Sequence, residues 1–391
     1  MPMSSALRSR APRGSGTRTA APPRVQAATR ARDLLMPLLA GPTEPVTLTT
    51  VKCLLWADVI RRSAGPAGGA EPDVLLPGSR QDFGFWEYLD RVGPEAEPAG
   101  LSSRRLAELH DAYLAQPWPI GYDLLRGYAE AADEGRPHPV AARMRELFEQ
   151  SCRMLGVRGF EPPPPQGPGP AAVSEVMAAL EDAGLVRHGG RAGQVVVGAP
   201  DKGVPSRTLL GADGRPHPVV HLLRDLLPVA DRYGTVILLH AHRMSGDYVF
   251  AVKLLRHLGV RAERLALTKV LPAPDDRPGP PSDRVHLWRL PLDELAGEHG
   301  EQAVRLALRL YFVAALGKHN VEPYRDDLLR RTVTRAVRVL EGASSPQESD
   351  TFGFLVRWVG ADGRVDPYRL TASLFGRRER IPDEILRRVF L

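Results

Sequence analysis

The chain has 391 residues, 43% of them apolar and 25% charged, the balance of a globular protein able to bury a full core in two domains or one large one. No apolar run approaches the roughly 20 residues that a membrane span needs, and two cysteines, Cys53 and Cys152, exclude a disulfide framework and fit a reducing cytoplasm. The net charge of +6 is uneven: residues 1–32 carry seven arginines and no acid, which predicts a disordered basic tail over residues 1–30, suited to nucleic acid or to a transit peptide.

After the tail, Ala31–Leu39 reads as a short helix stopped at Gly41-Pro42. Thr47–Thr50 reads as a turn and Val51–Arg62 as a helix with Leu54, Leu55, Val59 and Ile60 inward. Lys52, Arg61 and Arg62 fall at its ends, where solvated surface is favoured over a phosphate contact. Asp73–Leu76 reads as a short strand leaving into a loop with Gly78 and Gly84. Residues 101–157 are mainly helical, broken at Pro117–Pro119, and the run FEPPPPQGPGP (Phe160–Pro170) is a proline-stiffened linker. Ser174–Ala183 is a capped amphipathic helix, and Leu185–Gly198 and Ser206–Val220 alternate like two β ribbons.

The stretch Thr235–Val270 is the most informative. A strand, Val236–Leu239, leads into a helix with Phe250, Ala251, Leu254, Leu255 and Leu258 inward, capped by Ser245 or Asp247 and stopped at Gly259. A second strand, Leu265–Val270, follows. Such a βαβ unit implies a parallel sheet, and ligands bind beyond the carboxyl ends of its strands, so His240–Ser245 should lie at a site lip. His240 and His242 alternate as two metal ligands would, but no third ligand follows at a finger-like spacing, and no metal site is expected. His110, His138, His257 and His299 show no partners and read as surface or plain helix positions. Further helices are expected at Glu301–Leu316 and Asp326–Leu340. The second carries Arg330, Arg331, Arg335 and Arg338, a stripe facing either RNA or water.

From about Gly41 to Leu329 the order of segments resembles the class I arginyl-tRNA synthetases. Pro42-Thr43-Glu44-Pro45, four residues and a helix with Asp58 stand where that family has N-P-T-G-P, the His-Ile-Gly-His signature and a helix with an Asp. Gly78–Gly84 is similar to the family's G-D-W-G-x-Q-F-G loop. Met154–Val157, Asp213-Gly214 ahead of Arg224-Asp225, the βαβ unit and Leu292–Leu295 keep the family order. The resemblance implies an α/β fold: a Rossmann core with a parallel sheet over residues 31–320, a helical insertion at about 101–157, and a reduced helical C-terminal region over 321–391.

The same resemblance implies ATP with magnesium as cofactor, arginine or an analogue as ligand, and tRNA as partner. It places Pro45, Thr47, Thr50, His240, His242 and Arg289 at the nucleotide, and His221, Asp225 and Arg243 around the amino acid. Asp225 stands at the carboxylate that meets a guanidinium, His221 stands where the family has Tyr, and Arg243 would repel arginine.

The departures are as informative. The signature slot reads Thr47-Leu48-Thr49-Thr50, without either histidine, and the loss of one preorganised donor costs ~10²–10³ in rate. Between Leu271 and Leu292 there is no Lys-Met-Ser-Lys element, and Arg284 and Arg289 are offered as replacements or as an exposed loop. Three readings follow: a repurposed or very slow ATP-dependent ligase, a non-catalytic paralogue that binds or regulates, and an RNA-binding protein using the tail and Asp326–Leu340.

Overall fold

A computed structural model describes residues 32–93, 97–115, 120–160, 169–187, 193–273, 284–319, 323–343, 351–376 and 381–391. The basic tail, most of the proline-rich linker and the breaking Pro117–Pro119 lie outside the described residues.

Four short parallel strands form the centre: β1 (Leu34–Pro37), β2 (Asp73–Val74), β6 (Val236–Ala241) and β7 (Ala262–Leu267), in the order β2-β1-β6-β7. Leu34 pairs with Val236, and Val236 in turn with Ala262. Ala31–Leu39 is therefore not a helix but supplies a central strand. Leu34, Leu35 and Met36 are all fully buried, because successive side chains enter opposite faces and both faces are covered. A run of four apolar residues does not distinguish the two structures by itself.

On one face, Leu35, Ile237 and Leu239 meet α1 (Leu48–Ala64) and the C-terminal helices. On the other, Leu34, Met36, Val236 and Leu238 meet α8 (Ser245–His257), α6 (Val173–Asp182) and α7 (Pro218–Leu226). The second face also covers a three-stranded antiparallel sheet of β3 (Val186–Arg187), β4 (Val195–Ala199) and β5 (Val204–Leu210). The second expected ribbon ends at Leu210 rather than Val220, since Pro218 opens α7 with a proline where a helix needs no N–H donor. At the first, Gly198 crosses β5 so closely that a Cβ would lie 2.6 Å from Ser206 Cα.

Between β2 and α6 stand α2 (Phe83–Val92), α3 (Ser103–Ala115), α4 (Tyr122–Asp133) and α5 (Pro139–Leu155). They share a separate core of Phe85, Trp86, Leu89, Leu106 and Met144. Beyond β7 come α9 (Leu292–His299) and α10 (Glu301–Arg309), the latter running on as a wider π-type turn over Leu310–Ala315. The remaining helices are α11 (Asp326–Ala343), α12 (Thr351–Val356), α13 (Pro367–Ser373) and α14 (Asp383–Ile385).

Helix α1 is the hub. Leu48, Val51, Leu54, Leu55, Trp56 and Val59 are 0–1% exposed, each contributing about 1.5–3 kcal/mol by burial. Three of its charged side chains, Lys52, Asp58 and Arg62, are buried as well. Asp58 pairs with Arg309 of α10, both fully buried, and with Arg62 at 3.5 Å. Arg62 also donates to the Arg388 and Arg387 carbonyls. Lys52 and Arg62 are therefore not solvated surface: they are 1% and 5% exposed.

Candidate functional site

The carboxyl ends of β1, β6 and β7 meet the start of α1. Thr47 caps that helix from an extended backbone, its Oγ1 accepting from the Thr50 N–H at 3.2 Å and lying 3.0 Å from the Thr50 hydroxyl. Thr47–Thr50 is thus a cap and first helical turn rather than a free turn. The segment after β7 closes over it: Leu48 N–H donates to Val285 O at 2.7 Å, Leu287 N–H to Val46 O at 2.9 Å, and Thr47 bridges to His286. Thr49 Oγ1 accepts from the Val270 N–H at 3.0 Å. A helix N-terminus favours anions through its dipole and free N–H groups, but here the Leu48 and Thr50 N–H groups already have partners.

One turn further in lies Lys52. Its Nζ donates to Thr268 Oγ1 at 3.1 Å, and Thr268 N–H and hydroxyl both donate to the Lys318 carbonyl, at 3.1 and 3.2 Å. No carboxylate among the described residues pairs with the ammonium, and burial lowers it to about 8. A lone buried cation is costly, which makes this the least compensated charge near the sheet's carboxyl edge. The sequence held a signal for it: Lys52 falls four residues after Leu48 and three before Leu55, on the inward stripe.

The two histidines of β6 separate. His240 is fully buried against Tyr248, with ring centroids 4.7 Å apart. Its Nδ1 lies 2.9 Å from Ala241 O, its Nε2 has no partner, and burial lowers its pKa, which keeps it neutral. His242 begins a short 3-10 turn, His242–Met244, and is exposed, its ring 6.2 Å from that of His319. Neither Ser245 nor Asp247 caps α8. Met244 stands at the cap, Ser245 Oγ donates to His242 O, and Asp247 pairs with Arg207 at 2.7 Å. Arg243 is exposed, Pro45 is half-buried, and Arg289 is exposed beside the Trp288 ring.

His221 and Asp225 form a second group, one turn apart on α7 and both fastened to the loop after β2. The Asp225 carboxylate accepts from Gly78 N–H at 3.1 Å and Ser79 N–H at 3.0 Å, while Ser79 Oγ donates to His221 O at 2.8 Å. Burial raises Asp225 to about 6 despite those donors, and burial with Arg224 and Arg80 lowers His221 to about 4. Arg224 turns instead to Asp133 and Ala171 O. His221 Nδ1 and Gln81 Oε1 are buried without partners, and both residues line a cleft of about 560 Å³ between α7 and the α2–α4 insertion.

A third cluster lies where the insertion meets the core. His110, 1% exposed, faces Asp82 at 3.5 Å and the Phe85 ring edge-on at 4.8 Å, and the next residue, Asp111, binds His286 Nε2 at 3.0 Å through both oxygens. His138 caps α5, pairs with Asp90 at 3.0 Å and stacks on Trp86 at 5.1 Å. His110 and His138 are accordingly not plain surface positions.

The arginine stripe of α11 is largely spent within the protein. Arg330 pairs with Asp326 and Glu294, Arg331 with Asp327, and Arg335 donates to Leu374 O and Gly376 O.

The fold is that of class I aminoacyl-tRNA synthetases. An arginyl-tRNA synthetase of Plasmodium falciparum superposes with a TM-score of 0.57 at 11% identity, over 82% of this chain and 59% of that one. A Campylobacter jejuni protein assigned as an arginyl-tRNA synthetase gives 0.51 at 13% identity, over 80% of this chain and 70% of that one. No protein-family model and no curated protein sequence matches the chain.

Proposed function

We propose that the chain binds an adenine nucleotide at the carboxyl ends of β1, β6 and β7 and acts as a repurposed, slow ATP-dependent ligase of the arginyl-tRNA synthetase type. The observation that carries this reading is Lys52, a buried cation without a counter-charge beside the first turn of α1. A nucleotide polyphosphate would supply the missing negative charge, in a low-dielectric setting where such a pairing is strong. His242 stands at the same edge, exposed and free to donate. These groups fit a polyphosphate. Among the described residues no three metal-ligating side chains converge, so magnesium would arrive on the nucleotide's own oxygens. Bound ATP would supply the activating adenylyl group, with pyrophosphate as the leaving group, and the protein's part is to hold and orient it.

A second reading, binding without catalysis, is supported by what has been spent. Thr47 and Thr50 bond each other, and each Asp225 oxygen already accepts from one backbone N–H group, which leaves the carboxylate less to offer a guanidinium. On this reading arginine is a weak ligand of the site, and Arg331 and Arg338 are the arginines of the α11 stripe left exposed for RNA.

The test is proton linkage. Phosphate beside Lys52 would raise its pKa from about 8, so binding at pH 8.5 should take up a fraction of a proton. Calorimetry of ATP binding in buffers of different ionisation enthalpy measures this directly. Lys52→Met should abolish the uptake and weaken binding about tenfold, a charge-assisted contact being worth roughly 1.5–3 kcal/mol. Uptake that is absent in the native protein, or intact in the variant, removes Lys52 from the site.

A further inference from the structure

A cavity of about 580 Å³ lies where the C-terminal region meets the core, bordering the proposed nucleotide site at His319, whose ring is 6.2 Å from that of His242. Its floor is apolar: Trp56 and Ile60 of α1, Ile237 of β6 and Leu265 of β7. Trp56 brings no unspent polar atom, since its Nε1 donates to Phe312 O at 3.3 Å. One wall is the end of the π-type turn after α10, a helix distortion that recurs at functional sites. There Gly317, at φ +54°, lets the Tyr368 ring approach to 3.4 Å from where a Cβ would stand. The roof is the turn Gly360–Tyr368, pinned by the bridge between Val359 and Val365.

The charges on the rim are unequally matched. Glu263 pairs with Arg364 at 2.5 Å, Asp362 accepts from the Arg364 N–H at 3.2 Å, and Asp366 accepts from the Arg369 N–H at 3.1 Å as the cap of α13. Every acid lining the cavity is therefore committed. Arg364 is also held by Asp33 at 2.9 Å. Lys318 lines the same cavity, and its ammonium has no hydrogen-bond or carboxylate partner among the described residues, whereas the Arg264 side chain alternates to the other face of β7, toward His240. The volume falls in the range of small-molecule sites, which combine an apolar bed with a few polar groups that fix orientation.

We infer that this cavity binds a small molecule with a flat apolar body and one anionic group, a carboxylate or a phosphate. The body lies on Trp56, Ile60 and Leu265, and the anion meets Lys318. The site is wired to the nucleotide site by a short path. The Lys318 carbonyl accepts from Thr268, whose hydroxyl accepts from Lys52 Nζ. A ligand that shifts Lys318 thereby shifts the group holding Lys52, which gives the site a regulatory reach.

The test uses the full chain and two probes, 1-naphthoate and 1-naphthyl phosphate, titrated by calorimetry without nucleotide, so its outcome is separate from that of the nucleotide proposal. One-to-one binding by at least one probe is expected, the tighter probe identifying the anion. Lys318→Ala should weaken it about tenfold, as loss of a charge-assisted contact does, and Leu265→Trp, which fills the floor, should weaken it at least as much. If the filled variant fails to fold, Lys318→Ala carries the test alone, its side chain being only half-buried. Binding by neither probe, or binding that Lys318→Ala leaves unchanged, would overturn the inference.

Discussion

Asp58 and Arg309 meet across 251 residues with no exposed surface on either side chain. Arg309 further donates to the Leu155, Arg305 and Gly156 carbonyls, so one guanidinium ties α1, α5 and α10 together. Removing one partner of a buried pair leaves an uncompensated charge, at about 3–5 kcal/mol. Arg309→Met should lower the unfolding free energy by that amount in urea denaturation. A loss under about 1 kcal/mol would mean that the pair is dispensable. The same pair shows what the sequence could and could not say at this scale. Asp58 was legible as a characteristic residue of its helix, and Arg309 was one arginine among many. Lys52 read as helix-end surface for the same reason, because its partner Thr268 is 216 residues away. Burial of a charge depends on tertiary partners, and a local pattern such as the inward position of Lys52 carries only part of it.

At the scale of elements, the junction of α2 and α3 rests on Asp82. This residue caps α2 by accepting from the Phe85 N–H at 3.2 Å, takes the Tyr113 hydroxyl at 3.2 Å and faces His110. Burial by itself would raise its carboxyl, but His110, Phe85 and Tyr113 more than offset that and hold it below the ordinary carboxylate value. A depressed carboxylate contributes stability that is complete above the ordinary value of about 4 and is lost as pH falls through the lower folded value. Asp82→Asn should therefore cost about 1.5 kcal/mol at pH 7, and the gap to the native protein should narrow as pH falls below about 4. Denaturation curves at pH 7 and below pH 4 decide it, and a gap of constant size would sink the assignment. Element types followed periodicity where segments were long: α1, α8, α10 and α11 stand at or near their expected positions. They failed where segments were short. Leu34–Pro37 is a strand because β6 and β2 flank it, and β7 begins at Ala262, three residues before the apolar run that suggested it.

At the scale of the whole molecule, the segment order that resembles arginyl-tRNA synthetases and the superposition on them describe one architecture. The sequence made the sheet's carboxyl edge legible as the place for a site, because a βαβ unit fixes that geometry. It did not show how the edge is filled. The Thr47–Thr50 bond, the clasp of residues 285–287 on α1, and Asp225 bound to the Gly78 loop are products of packing among distant segments. Together they describe a synthetase-like core that keeps, among the described residues, a buried cation without a carboxylate partner at its carboxyl edge, while Asp225 is held by the Gly78 loop. The central claim is the proposed binding of a nucleotide phosphate at that edge. Calorimetric titration of the purified chain with ATP, with and without arginine, tests it most directly. The account predicts one-to-one ATP binding in the micromolar range, with an affinity that arginine leaves unchanged. No heat on adding ATP would contradict it, and binding that arginine strengthens tenfold would contradict the reading of arginine as a weak ligand at Asp225.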